Sequence, residues 1–438
     1  MTTLIEGGTV ITMGAENRVI SPGGVVIEGT DVIKVGPLEK LRSEYSSAEV
    51  LDARKKIIIP SLVNIHHHLY STFARGFAPP EEPARNFTQI LENLWWKLDR
   101  ALFREAIYLS AAVPLMESLR HGVTAVIDHH ESQSYQIGSL DEIKRAVEEA
   151  GMRAVLCLGA SDRFDRGERG VVENERMLRK ESENVMGMVG LHASFTVNDD
   201  TLKRSVQLAE EFNTGIHVHC AEDGSDQEKT RRMYSKEVVE RFRDAGVLGE
   251  KSLLIHCIHI SDREMEMIRE SGTSVAHNPE SNMNNAVGYS PVLRMYNSGI
   301  DVGIGTDGMS SDMLSQARCA FLIARHQERD PTVGFSEIPA MLLENNPRIL
   351  NKITGWDYGE ISEGGRADIA ILDYSPATPL TADNLYGHLL FGMVSSFVDT
   401  TISGGRIVMR HGKITVFDEE EIYAASRETA EKVWERIK

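Results

Sequence analysis

Apolar residues in the middle of the chain form short runs that alternate with segments of helical periodicity. The strand-like runs span residues 57–66, 123–128, 153–158, 186–191, 215–219, 252–256, 273–277 and 300–307. Helical segments such as 140–149, 200–212 and 261–270 lie between them. Buried strands that alternate with helices predict an α/β fold, a (β/α)8 TIM barrel. An open doubly wound sheet is the alternative, but the sequence lacks the GxGxxG fingerprint that would support it.

Both ends of the chain have a different pattern, in which short β-like pieces are bounded by glycine. Such pieces occur in residues 1–56 and again in about 360–415, and each set alone is short for a closed sandwich. We therefore expect 1–56 and 360–415 to form one composite β-sandwich domain. The barrel then comprises 57–359. Residues 416–438 form a C-terminal amphipathic helix that covers the β-domain or the barrel.

Polar residues end the apolar runs, beginning with Asn64-Ile65-His66-His67-His68. Alternate side chains of a strand share a face, so His66 and His68 point the same way and can bind one metal ion. A divalent metal normally has three or four protein ligands, which predicts further partners along the chain. Active sites of such barrels lie at the carboxyl ends of the strands. The residues that close the later runs are His192, His217, His219, His256, His277 and Asp307.

These motifs resemble the amidohydrolase superfamily. The resemblance rests on Asn-x-His-x-His at 64–68, His219-Cys220-Ala221-Glu222, His256, His277-Asn278-Pro279 and Gly305-Thr306-Asp307-Gly308. It is strongest for the branch that holds guanine- and adenosine-type deaminases and triazine hydrolases. Residues 66–76 and 86–96 are most similar to the SsnA group of aminohydrolases. The resemblance covers essentially the whole chain and does not identify the substrate.

The resemblance implies a role for each motif residue. His66, His68, His219 and Asp307 would bind one divalent metal ion, of which Zn²⁺ is the expected one. Asp307 would accept the proton of the attacking water, Glu222 would protonate the ring nitrogen or leaving group, and His256 would hydrogen-bond the attacking oxygen. Binuclear members carry a carboxylated lysine after strand 4, where this chain has Gly190-Leu191-His192-Ala193, so a single metal ion is expected.

Other candidates surround this set. His192 holds a position that contacts substrate in the deaminase branch, and His277 either orients Asp307 or contacts the substrate. His217 is expected to point away from the metal. Residues 76–100 form a candidate lid, entered through a stiff Pro79-Pro80 loop. The lid has an apolar stripe at helical spacing that is expected to serve packing: Phe87, Ile90, Leu91, Leu94, Trp95 and Leu98. Trp96 and Glu92 lie off this stripe and are expected to face the pocket. Arg75 either binds a carbonyl or carboxylate of the substrate or forms a structural salt bridge.

Composition restricts the partners and the compartment. The 438 residues are too many for one ordinary domain. The formal net charge of −18 argues against nucleic acid and anionic membranes. Four separated cysteines in apolar surroundings predict free buried thiols and a reducing cytoplasm. We expect neither a signal peptide nor a membrane-spanning segment. The family resemblance implies a homodimer or larger homo-oligomer, although the sequence shows no interface signature.

Three functions follow from these observations. The favoured one is hydrolytic deamination of a purine-, pyrimidine- or triazine-like heterocycle with release of ammonia. The alternative enzyme opens a cyclic amide at its C–N bond with the same metal and acid. A non-catalytic scaffold barrel is the third hypothesis, and the intact metal-ligand set with Glu222 argues against it.

Overall fold

The structure is a computed structural model that describes residues 2–78, 82–395 and 397–437. Pro79 and Pro80 of the predicted stiff loop lie outside the described residues. The strands are β1 (Thr2–Ile11), β2 (Val19–Glu28), β3 (Asp31–Pro37), β4 (Glu49–Asp52), β5 (Ile57–Pro60), β6 (Leu62–His67), β7 (Val123–His130), β8 (Arg153–Leu158), β9 (Val185–Gly187), β10 (Val189–Ala193), β11 (Ile216–Cys220), β12 (Leu253–His256), β13 (Ser274–His277), β14 (Val302–Ile304), β15 (Ile369–Asp373), β16 (Phe397–Ser403), β17 (Arg406–Arg410) and β18 (Lys413–Ile414).

Helices connect most of these strands. They are α1 (Leu38–Glu44), α2 (Phe87–Ile90), α3 (Trp96–Ala101), α4 (Arg104–Arg120), α5 (Ser139–Ala150), α6 (Gly167–Leu178), α7 (Asp199–Glu211), α8 (Gly224–Tyr234), α9 (Val238–Ala245), α10 (Asp262–Ser271), α11 (Pro279–Asn284), α12 (Val292–Asn297), α13 (Met313–Glu328), α14 (Glu337–Ala340), α15 (Asn346–Thr354), α16 (Leu385–Phe391) and α17 (Glu419–Ile437). Short 3₁₀ segments span Leu69–Ala74, Ser194–Thr196, Ala382–Asn384 and Met393–Ser395, and π-helical turns span Leu91–Trp95 and Met341–Asn345.

Two parallel sheets carry the central part of the chain. One has the order β6-β7-β8-β9, and the other has the order β10-β11-β12-β13-β14. Isolated parallel bridges link them at both edges, from His67 to Asp307 and from Ala160 to Leu191. The parallel order with intervening helices brings the carboxyl ends of these strands to one side of the molecule.

Strands from both chain ends share a third sheet. Its order is β18-β17-β16-β15-β5-β1-β2-β3, and β4 pairs with β1. Strand β5 connects the two halves, because it runs parallel to β1 on one side and antiparallel to β15 on the other. The long C-terminal helix α17 packs mainly on α3 and α4, and Glu419 at its start accepts a hydrogen bond from the Ile414 N–H of β18.

The apolar run 57–66, expected to be one barrel strand, is divided between two sheets. Residues Ile57–Pro60 belong to the sheet of the chain ends, and Leu62–His67 belong to a parallel sheet. Pro60 still pairs with Ile369 of β15 but has no N–H for a further ladder hydrogen bond, so β5 ends there. The next N–H, that of Ser61, donates to the carbonyl of Asp368, and that of Leu62 donates to Gly122. The expectation of a single strand over 57–66 is therefore wrong.

Local signals explain where helices begin and end. Helix α10 follows Ser261, whose hydroxyl accepts from the Glu264 N–H while the Glu264 carboxylate accepts from the Ser261 N–H. This reciprocal arrangement is a capping box. The helix ends at Gly272, whose φ of 68° is left-handed. Among the described residues, no helix combines the length and apolar character that crossing a membrane requires.

Candidate active site

The predicted metal ligands meet at the carboxyl ends of the parallel strands. His66 lies in β6 and His219 in β11, while His68 and Asp307 directly follow β6 and β14. The two Nε2 atoms of His68 and His219 are 3.1 Å apart, and Asp307 Oδ1 lies 3.2 Å from His68 Nε2 and 3.9 Å from His66 Nε2. His66 Nε2 is buried and has no hydrogen-bond partner among the described residues. Three imidazoles and one carboxylate thus converge on one point.

The protonation states of these residues suit a divalent cation. Burial lowers the pKa of His66 and His219 well below the ordinary value, so both rings are neutral at physiological pH. Burial raises the pKa of Asp307, but the neighbouring His68 and His256 rings outweigh it and leave that pKa below its usual range. Neutral imidazoles with an ionised carboxylate are the forms that ligate metal. The donor set therefore fits a zinc-like ion.

Hydrogen bonds from the outer ring nitrogens orient two of the imidazoles. His68 Nδ1 donates to the backbone carbonyl of His129 at 2.6 Å, and His219 Nδ1 donates to that of His192 at 2.8 Å. A carbonyl can only accept, so each of these two rings carries a proton on Nδ1 and directs Nε2 to the centre. Such contacts fix the tautomer of a metal-binding histidine.

His217 supports the third imidazole, which corrects its predicted orientation. Its Nε2 lies 3.0 Å from His66 Nδ1, so it faces the site rather than away from it. Residues two apart on a strand share a face, and this places His217 on the same side as His219. His217 is fully buried beside Cys157 and His129, and these three residues form a second group with metal-ligand spacing.

An acid and a histidine face the metal centre. His256 Nε2 lies 3.4 Å from Glu222 Oε2 and 3.6 Å from Asp307 Oδ2. The other ring nitrogen of His256 is 2.8 Å from the side-chain oxygen of Asn282, which orients the ring. Burial, reinforced by the charges of Asp307 and Asp226, raises the pKa of Glu222 well above its ordinary value. The raised pKa favours the protonated form of Glu222, which suits this residue to donate a proton.

The backbone at the site adopts conformations that side chains rarely tolerate. Ala221, His256, Cys257 and Asp307 all have positive φ angles, between 47° and 71°. Each such residue costs on the order of 1–3 kcal/mol, and non-glycine strain of this kind clusters at active sites. The turns that follow β11, β12 and β14 thus aim His256, Asp307 and the Glu222 loop at one centre.

Glycine is required at 305 for a steric reason. A Cβ there would lie 2.4 Å from Asn278 Oδ1 and 2.8 Å from His66 Cβ. Both distances are shorter than non-bonded atoms allow. The absence of a side chain at Gly305 therefore lets the ligand-bearing end of β6 pack against the segment that leads to Asp307.

A pocket opens above this centre. Its lining combines the metal-binding and acidic residues with an aromatic wall, and includes His68, Tyr70, Phe87, Leu91, Trp95, Trp96, Asp99, Glu131, His192, Ala193, Phe195, His219, Glu222, Asp226, His256, Ser281, Asn284, Asn285, Asp307, Gly308 and Met309. Aromatic walls with a few convergent polar groups are typical of sites for planar small molecules.

Two of the four predicted substrate contacts line the pocket. His192 and Trp96 line the pocket. The Nδ1 atom of His192 lies 2.9 Å from the hydroxyl oxygen of Thr196. Arg75 does not, because its guanidinium forms a bidentate ion pair with Glu117 at the surface, at 2.5 and 2.8 Å. His277 is buried outside the pocket lining. Arg75 therefore forms the structural salt bridge that was its alternative role, and a substrate contact of His277 stays a prediction.

The candidate lid forms part of the pocket wall. Phe87 and Leu91 pack with Ile258 and Val287 in one small apolar cluster, against which Trp95 and Trp96 also pack. The apolar stripe of the lid thus serves both packing and pocket lining. Glu92, which lies off the stripe, is exposed and outside the pocket lining.

Several pocket residues were not predicted from the sequence. Ser281 donates to Asp307 Oδ2 at 2.6 Å, and Asn285 Nδ2 lies 3.4 Å from Glu222 Oε1. Both follow His277-Asn278-Pro279 in the sequence HNPESNMNN. Ser281 and Asn285 are four residues apart, the spacing that places two polar side chains on one face of a helix, and this spacing was the available signal. Asp99 and Glu131 also line the pocket, and no motif marks them.

Comparisons with known proteins agree with this geometry. A 5-methylthioadenosine/S-adenosylhomocysteine deaminase of Syntrophomonas wolfei is 30% identical over 99% of this chain and 99% of its own length. A 5'-deoxyadenosine deaminase of Methanosarcina mazei is 29% identical, also with 99% of each chain covered. A zinc-bound adenosine deaminase from Xanthomonas campestris has a similar fold, with a TM-score of 0.87 at 21% identity and 98% of both chains covered. The model of the amidohydrolase family matches residues 57–408, and the chain belongs to that family.

Proposed function

We propose that the protein is a metal-dependent aminohydrolase that replaces an exocyclic amine on a purine-, pyrimidine- or triazine-like ring by hydroxyl and releases ammonia. The observation that carries this proposal is the position of Glu222. It is a buried acid whose pKa is raised by burial, and it faces His256 and Asp307 across the pocket. Loss of an amine needs a proton donor at neutral pH, and a carboxylic acid with a raised pKa is such a donor.

The relatives support the choice of deamination. Curated relatives that align over nearly the whole chain are named as deaminases of adenosine-type compounds. Ring opening of a cyclic amide, the second enzymatic hypothesis, would use the same centre, and no structural observation favours it.

The metal in this proposal is one divalent ion, most simply Zn²⁺, held by His66, His68, His219 and Asp307. Bound there, such an ion lowers the pKa of a water molecule to about 7. We expect one ion because β10 carries His192, and no lysine, at the position where binuclear relatives have the carboxylated lysine.

The protein residues then divide the proton transfers. Asp307 accepts one proton of the attacking water, whose oxygen bonds to the amine-bearing carbon. Glu222 gives its proton to the adjacent ring nitrogen, and the neutral His256 ring hydrogen-bonds the attacking oxygen. As the C–N bond breaks, the amine takes the proton from Asp307 and leaves as ammonia, while the new hydroxyl returns a proton to Glu222. Both carboxyl groups end in their starting states.

A substrate panel tests the reaction. Zinc-loaded protein is incubated with amino-substituted purines, pyrimidines and triazines and with cyclic amides such as dihydropyrimidinones, and ammonia and product mass are followed. Deamination predicts one ammonia per product and a mass gain of about one dalton, from loss of NH and gain of O. Ring opening would instead add a whole water without ammonia. Turnover of cyclic amides alone would contradict the proposal.

We also propose the architecture that the family implies. Within 57–359, the two parallel sheets close into a (β/α)8 barrel that starts at β6, because β5 lies in the sheet of the chain ends; β9 and β10, separated only by Met188, form its fourth strand. The bridges His67–Asp307 and Ala160–Leu191 support this closure. Residues 1–56 and 360–415 act as one β-domain, supported by their shared sheet. The free thiols fit a cytoplasmic protein. The exposed rings of Phe391 and Phe397 offer apolar surface for a homo-oligomer, which light scattering would detect.

A further inference from the structure

A buried cluster of three charged residues lies beside the metal centre and takes no part in the proton transfers. Arg163 forms two ion pairs, with Asp99 Oδ2 at 3.1 Å and with Glu131 Oε2 at 3.0 Å. The three side chains are only 2–5% exposed. We call these residues the acidic triad, because two carboxylates share one guanidinium.

The second oxygen of each carboxylate in the acidic triad lacks a partner. Asp99 Oδ1 and Glu131 Oε1 are buried and have no partner with hydrogen-bond geometry among the residues that the structure describes, while the nearby Tyr70 hydroxyl helps to lower the pKa of Asp99. The indole N–H of Trp96 is in the same situation, and the Trp96 ring lies 5.2 Å from the Arg163 guanidinium carbon. Buried polar atoms are normally hydrogen-bonded, so two unpaired acceptors on one wall indicate a position for a donor. Asp99, Glu131 and Trp96 all line the pocket.

The charge around the pocket indicates the sign of that donor. Glu222, Asp226 and Asp307 line the pocket together with Asp99 and Glu131, and within residues 2–78, 82–395 and 397–437 no lysine or arginine lines it. Burial raises the pKa of Glu131 to about 8 and also raises that of Asp99. Arg163 alone therefore does not keep both carboxyl groups ionised at neutral pH, whereas a second cation bound beside them would stabilise their ionised forms.

The acidic triad lies one side chain away from the metal ligands. Glu131 Oε1 is 3.9 Å from His129 Nε2, and the His129 ring centroid is 4.6 Å from that of His219. Gly159 makes this approach sterically feasible, since a Cβ there would lie 2.1 Å from Glu131 Oε1 and 2.4 Å from His129 Nε2. A short substituent on a ring held at the metal centre would reach the triad.

We infer that the acidic triad is a specificity site that binds a protonated nitrogen group carried by a short substituent of the substrate. This inference rests on the proposed function and deepens it, because it names the substrate class as cationic heterocyclic amines. It excludes substrates whose substituent is a carboxylate or phosphate, since an anion would face two carboxylates without a free cation. Bringing like charges together in a desolvated site is strongly unfavourable.

The alternative role for the acidic triad is structural. Asp99 lies in the lid helix α3, whereas Glu131 and Arg163 follow β7 and β8, so the ion pairs also connect the lid to the strand ends. If the ion pairs are purely structural, weakening them should lower the stability of the protein and reduce its activity by the same factor for every substrate. A specificity site would change the ranking of substrates.

The test uses three adenines that carry aminoethyl, ethyl or carboxyethyl at N9. Zinc-loaded wild-type protein is expected to prefer the aminoethyl compound over the carboxyethyl compound by about 100-fold in kcat/KM. Asp99→Asn and Glu131→Gln should reduce that ratio at least 10-fold, through a rise in KM of the aminoethyl compound that exceeds any change in KM of the ethyl compound. The matched control is Glu173→Gln, which removes a buried carboxylate paired with Arg176 at 3.1 Å outside the pocket lining. Glu173→Gln should leave the ratios among the kcat/KM values of the three compounds unchanged.

Dissociation constants of the same compounds, measured by calorimetry, separate this inference from the proposed reaction. If no adenine is deaminated but wild-type protein binds the aminoethyl compound preferentially and the triad variants do not, the inference holds and the reaction fails for this ring. If all three adenines are deaminated with similar kcat/KM, the reaction holds and the inference is overturned. Parallel losses for all three in the triad variants, or binding of none of them, would also overturn it.

Discussion

The Ser281 hydroxyl donates to Asp307 Oδ2 at 2.6 Å, while the N–H of Gly308 donates to Oδ1 at 2.7 Å. Both carboxylate oxygens of Asp307 are therefore oriented, one by each contact. Ser281 belongs to α11, which follows β13, so this bond couples two neighbouring strand ends. An outer partner of this kind determines how a metal ligand and proton acceptor presents its lone pairs.

Ser281→Ala should weaken the enzyme without unfolding it. Because Asp307 would lose one of its orienting bonds, we expect turnover or metal affinity to fall about 10- to 100-fold. The measurement is kcat together with a zinc-binding titration. Ser205→Ala is the matched control, since Ser205 is equally buried but lies in α7 outside the pocket lining. Equal activity of the two variants would show that Ser281 does not position Asp307.

Metal removal should abolish activity and preserve the fold. The ligands come from separate strand ends that are already packed in an apolar core, so we expect far-ultraviolet circular dichroism to remain after chelation. Elemental analysis of the purified protein should give about one zinc-like ion per chain. Two ions per chain with a modified lysine would contradict the single-metal proposal.

Gly305→Ala should damage the metal site by steric force. A Cβ at 305 would push apart Asn278 and His66, so we expect the variant to bind zinc more weakly. We also expect its free energy of unfolding, measured by chemical denaturation, to fall by about 1–3 kcal/mol. Gly36→Ala in β3 is the control, because a Cβ there meets no atom within 4 Å. The prediction fails if Gly305→Ala retains full zinc affinity.

Ile58→Ala should destabilise the sheet that joins the chain ends. Ile58 is fully buried in β5, between β1 and β15, and Leu/Ile→Ala changes in cores cost about 2–5 kcal/mol. Val50→Ala in β4 is the control, because Val50 is 50% exposed. Chemical denaturation of both variants gives the comparison. Similar midpoints would mean that β5 does not hold the two halves together.

Much of the fold follows from local patterns in the sequence. Strand β8 spans the predicted residues 153–158, because consecutive apolar residues are needed where both faces of a strand are buried. The run 57–66 was less informative, since its two halves are equally apolar and only Pro60 indicates the break. The orientation of His217 was available from strand periodicity, which places it on the face of His219.

The active site could be predicted only in part from such local sequence patterns. His66, His68, His219 and Asp307 each end an apolar run, so their convergence follows from parallel strands. The acidic triad has no such signal, because Asp99, Glu131 and Arg163 come from a lid helix and two loops and meet only in the folded chain. Arg75 lies close to His68 in sequence, but the 3₁₀ segment Leu69–Ala74 carries it away to Glu117.

Glu222→Gln tests the central claim most directly, because it keeps the shape of the side chain and removes its proton. Zinc content should stay at the wild-type level, since the four proposed ligands remain, and KM should change little because the amide can still hydrogen-bond the ring. The control Glu92→Gln, an exposed lid residue outside the pocket lining, should behave as wild type. In Asp307→Asn, by contrast, zinc binding should weaken as well. The deciding measurement is ammonia release by zinc-loaded Glu222→Gln on the best substrate of the panel: we predict a fall in kcat of about 100-fold or more, and near-normal kcat at full zinc occupancy would contradict Glu222 as the proton donor.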